Sequence, residues 1–231
     1  MERKSAPAGD TPASADALPD RRGSARLAEP TTMATDYLLA AVAAVLAVLL
    51  LQPRGAGDLP RQMWGWALSV TALAALVGGT FHGFRDRLPP RRAEALWRMT
   101  LLLSAVASCL LLLGAALWTE MAAPRILLLV VAALKLGAAS FYLWRRGRFS
   151  VISYDAGISL LLILALTVWQ LIAGTISDAG WWIVAGVAAA LAGAIMQWKE
   201  WHLARHFNHN DLFHVAQMVA CYLLYRGALH M

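Results

Sequence analysis

The sequence predicts an all-α membrane protein: a seven-transmembrane-helix bundle with its N-terminus cytoplasmic and its C-terminus outside. Three observations predict it. The chain is 59% hydrophobic and only 15% charged, with a mean hydropathy of +0.56, whereas a soluble domain carries about 25% charged residues. Stretches of apolar residues long enough to cross a hydrocarbon core recur seven times. Basic residues collect in alternate connections between those stretches.

The spans are expected at about 36–52, 62–84, 96–118, 122–144, 150–173, 180–199 and 211–229. Trp64, Trp66, Trp118, Trp144, Trp181, Trp182, Trp198 and Trp201 fall at their ends, where amphipathic rings favour the membrane–water interface. Gly78, Gly79, Gly137, Gly186 and Gly193 lie inside spans and let neighbouring helices approach closely. Residues 1–35 are rich in Ala, Pro, Asp, Arg and Ser, contain no hydrophobic run, and are expected to be a disordered tail rather than a signal peptide. Met33 offers an alternative start directly before the first span. The transmembrane domain is then 36–231. Cys109 and Cys221 both sit within apolar segments, which argues against a disulfide framework.

Charge sets the orientation. Arg3, Lys4, Arg21, Arg22 and Arg26 precede the first span; Arg85, Arg87, Arg91, Arg92 and Arg98 join the second to the third; Arg145, Arg146 and Arg148 join the fourth to the fifth; Lys199 and Arg205 join the sixth to the seventh. The opposite side holds Arg54, Arg61, Arg125 and Arg226. Cationic loops remain in the cytoplasm, so the protein is expected as a multi-pass protein of a cell membrane, in a bacterial inner-membrane arrangement. The net charge of +6 therefore marks orientation, not nucleic-acid binding, and the expected partners are membrane lipids.

With this topology, five of the six histidines fall at one end of the bundle: His82, His202, His206, His209 and His214. Asp155 and Asp211 share their depth. Imidazole and carboxylate groups converging from distant segments suit a zinc ion. Asp211 and His214 are three apart and share a helical face. The expected first ligands are His82 and His214, with His209 or Asp211 as the third and water in the open position. Asp155 would orient a ligand or act on the water.

Plainer roles compete for each residue. Asn210 can cap the seventh helix, with Asp211 favoured by the helix dipole. His202 and His206 can face lipid headgroups, and Asp155 can pair with a loop arginine. Lys135 lies deep within the fourth span with no carboxylate evident at its depth. It is expected to face the bundle interior, among polar groups such as Gln170, Gln217 or Ser108.

The run His209-Asn210-Asp211-Leu212-Phe213-His214-Val215, with Phe81-His82 at the end of the second span, resembles the histidine pattern of the CREST superfamily. That superfamily includes alkaline ceramidases and the progestin and adipoQ receptors. The resemblance covers the whole chain in topology but only about ten residues in motif. It departs at Asn210, where the superfamily has a histidine, and at Gly78, where it has a serine. What it implies is a zinc-dependent hydrolase of lipid amides or esters, with Asp155 or Asp211 as catalytic proton shuttle and the acyl chain entering from the bilayer. The competing classes are a non-catalytic receptor or scaffold, and a b-type haem protein held by His82 and His214.

Overall fold

The structure, a computed structural model, describes residues 27–53, 58–176, 178–204 and 207–231. The N-terminal residues 1–26, and Arg54, Arg205 and His206, lie outside that set. Seven α-helices follow one another: α1 Pro30–Leu51, α2 Leu59–Phe84, α3 Pro90–Trp118, α4 Ala122–Arg146, α5 Phe149–Ile172, α6 Asp178–Trp198 and α7 His209–Ala228. A single 3₁₀ turn, Arg85–Arg87, links α2 to α3. Among the described residues there is no β-strand, only an isolated bridge between Ala204 and Phe207.

Local chemistry sets the ends. Proline opens α1, α2 and α3 in the first turn, where its missing N–H costs nothing. Gly147 stops α4 at φ 54°, a left-handed conformation that glycine adopts without penalty, and donates its N–H to the Leu143 carbonyl. Asn208, not Asn210, caps α7. Its side chain accepts from the Asn210 amide while Asp211 Oδ2 accepts from the Asn208 amide at 2.7 Å, so two otherwise orphaned donors are satisfied.

The helix start at Pro30 corrects one expectation. Part of the tail expected to be disordered is structured: Ala28 and Glu29 donate to the Gly83 and His82 carbonyls, and Met33 packs over Gly83. Thr32 and Asp36 are buried.

Helices α1 to α6 are long and apolar enough to cross a membrane. The apolar core runs through Leu50, Trp64, Leu112, Ile183, Val187 and Leu224, while large side chains such as Leu134, Ile172 and Trp181 point outward. Helix packing closes a ring in the order α1, α2, α3, α5, α6, α7 and back to α1. Helix α4 stands outside it, against α3 and α5. Its buried positions Leu128, Ala132, Ala139 and Leu143 form one stripe at helical spacing, and Lys135 continues that stripe. A cavity of about 460 Å³ occupies the ring.

Candidate functional site

At one end of the ring, α1 and α7 begin and α2 ends. His214 sits one turn into α7, buried, on the stripe Asn210, His214, Gln217, Cys221 and Leu224 that lines the cavity. Both of its ring nitrogens are engaged: Nδ1 lies 2.9 Å from Thr35 Oγ1, and Nε2 lies 3.2 Å from Asp36 Oδ1. Thr35 also reaches the Thr32 carbonyl at 3.1 Å and Asp211 Oδ1 at 3.3 Å. A hydroxyl has one proton, and a carbonyl and a carboxylate can only accept. If Nδ1–H donates to Thr35, the single Thr35 proton is left to be shared between the Thr32 carbonyl and Asp211, while Nε2 faces Asp36 as an ion-pair contact. Asp211 is fully buried and ties its own helix cap to α1.

His82 lies on the same cavity but in a different network. Its Nδ1 meets Glu29 Oε2 at 2.5 Å, and Arg85 meets Glu29 Oε1 at 2.7 Å, so one carboxylate clamps both the imidazole and the guanidinium. Aromatic rings back this corner: Phe81 stands 5.1 Å from Trp97, and Trp97 stands 6.2 Å from Phe149, centroid to centroid. Asp36 rests over Gly78, whose missing side chain leaves room for the carboxylate and for Thr100.

The other predicted residues are elsewhere. His209 stacks edge-on with His202 at 5.4 Å and is not among the described residues that line the cavity. Asp155 is paired with Lys135 Nζ, whose ammonium also lies 3.5 Å from Ser108 Oγ. That pairing corrects the expectation that no carboxylate shares the depth of Lys135. Asp155 is six residues into α5, and the flexible four-carbon lysine stem spans the remaining offset. Gln170 is buried, and neither it nor Gln217 partners the lysine. His206 falls outside the described residues.

The structure therefore brings His82 and His214 to one cavity, ties Asp211 to the His214 network through Thr35, and leaves His209 and Asp155 in two separate settings. Among the described residues, no group of three or more His, Cys, Asp and Glu is arranged to hold a metal ion. No third such donor joins His82 and His214, and Asp36 stands before Nε2 of His214, so the donor set as arranged does not fit zinc. Sequence reasoning missed Glu29, Thr35 and Asp36. Asp36 carried a signal, being an acid inside the otherwise apolar α1.

Residues 31–231 match DUF6962, a family of unknown function. The chain belongs to that family. No curated protein and no solved structure matches it. The match takes in the six ring helices, all but Pro30 of α1, and α4 outside them, so the cavity lies within the family's extent, while Glu29 of the His82 network falls just before it.

Proposed function

We propose that this is a seven-span cell-membrane protein, N-terminus cytoplasmic, that binds a small amphipathic molecule in its central cavity. The observation that carries the reading is the cavity itself. Its volume of about 460 Å³ is in the range that holds small ligands, its walls are mostly apolar, and Asp36, His82, Arg85 and His214 gather at one end. Helix α7 is less apolar than the others because Asn210, His214 and Gln217 face the cavity. Its 20 residues reach about 30 Å, enough to span the hydrocarbon core. Basic loops on the end that carries the site support a cytoplasmic face for it. In this reading the protein acts as a receptor or carrier for the bound molecule.

The test is extraction of the purified protein and mass spectrometry of what is released. Near one small amphiphile per chain, lost when the cavity is filled by Ala107→Phe, is the expected result. Phospholipid alone, in equal amounts from both proteins, would count against it.

A second reading, a zinc-dependent hydrolase of lipid amides or esters, rests on His82 and His214 lining one cavity. It requires His214 to exchange one of its two bonds for the metal. Metal analysis beside His82→Ala and His214→Ala separates the readings: zinc lost in both variants favours the hydrolase, and a Soret band favours haem.

A further inference from the structure

The cavity has a second polar level, and the two levels share a chemical need. At the first, Asp36 lines the cavity with Oδ2 buried and without a hydrogen-bond partner. At the second, Ser108 and Ser159 line the cavity and bond to each other at 2.9 Å. Behind that pair stand Lys135 and Asp155, and Asp155 Oδ2 is likewise buried and unpartnered. Asp155 and Ser159 are four apart on α5 and share a face. Thr100 of α3 packs beside Asp36 over Gly78, and Ser108 is two turns further along the same helix, so the levels are about 12 Å apart. Ser104 lies between them on the cavity wall, and apolar side chains such as Leu101 and Leu160 fill the rest of that stretch.

A buried carboxylate oxygen without a donor is costly. We infer that the cavity takes a molecule with an apolar body and two hydrogen-bond-donating groups about 12 Å apart. One group binds at Asp36, the other at the Ser108–Ser159 pair backed by Asp155. This inference rests on the ligand-binding reading and narrows it to a class: amphiphiles polar at both ends, carrying hydroxyl, amide N–H or ammonium groups. Ordered water is the competing occupant of the deeper level.

The experiment uses the full chain in lipid nanodiscs and two probes. One is a set of linear alkanes hydroxylated at both ends; the other is the set of primary alkanols of equal length. Affinity is read by thermal-shift titration. At the matching length the diol is expected to bind about tenfold more tightly than the alkanol, the gain of one hydrogen bond to a charged cluster. Ser108→Ala and Ser159→Ala should each remove that advantage. Equal affinity for diol and alkanol in the unaltered protein would overturn the second level while leaving the cavity a binding site. Absence of binding by either probe would overturn both readings.

Discussion

Lys135 of α4 and Asp155 of α5 lie 20 residues apart and meet as a buried ion pair between the ring and its outer helix. The pair is the polar exception in an α4 stripe otherwise made of Leu128, Ala132, Ala139 and Leu143. Both side chains are nearly sealed, at 9% and 5% exposure, so removing one charge strands the other. Asp155→Ala is expected to destabilise the protein by about 3–5 kcal/mol, and Lys135→Met with Asp155→Leu to recover most of that loss. Reversible unfolding in mixed micelles measures both. A double variant as unstable as the single one would show that the pair does more than balance its own charge.

Thr35, beside Asp36, ties the first helix to the last. Thr35→Val removes the hydroxyl that meets both His214 and Asp211 and leaves buried polar groups unserved, at a cost of about 1–3 kcal/mol. Thr35→Ser should keep most of the stability. Thermal unfolding of the two variants side by side checks the contrast.

Adjacent glycines should respond differently. A Cβ on Gly79 would stand 2.8 Å from the Tyr37 ring and 2.9 Å from Asp36 Cβ, whereas one on Gly78 would meet its nearest neighbour, Thr100, at 3.3 Å. Gly79→Ala is expected to cost about 1–3 kcal/mol through overpacking, and Gly78→Ala less than half as much. Gly78→Ser additionally offers a hydroxyl to Asp36 Oδ2 and should be the best tolerated of the three. Melting temperatures rank them.

Orientation is open to a direct check. Cys109 and Cys221 are buried, so they give little background to a membrane-impermeant thiol reagent. Arg148→Cys, in the exposed link between α4 and α5, should label only after the cells are opened. His230→Cys, near the C-terminus, should label in intact cells. The reverse pattern would invert the topology and move the site to the outer face.

The helices were legible because length and hydropathy are properties of contiguous sequence. Boundaries came within a few residues, except at the starts of α1 and α3, where Pro30 rather than Asp36 and Pro90 rather than Leu96 begin the helices. The convergence of His82 and His214 was also legible, since counting antiparallel spans puts both at one end. Their partners were not. Glu29 lies 53 residues from His82, and Thr35 lies 179 residues from His214; no spacing rule connects them. The order of the ring was equally hidden, because short loops fix only which helices are neighbours in sequence. Lys135 shows the limit best. Its stripe on α4 says that it packs inward, but the choice of Asp155 depends on α4 standing outside, against α3 and α5 together.

The ring closes between its first and last members, and that has a consequence for how the protein is made. Asp36 and Thr35 leave the ribosome well before their partners on α7. Throughout synthesis the nascent chain carries an acid within an apolar segment that has no mate. The completed polar knot is therefore a mark that α7 has joined α1. A polypeptide cut short before α7 keeps its apolar helices but leaves that acid unmatched.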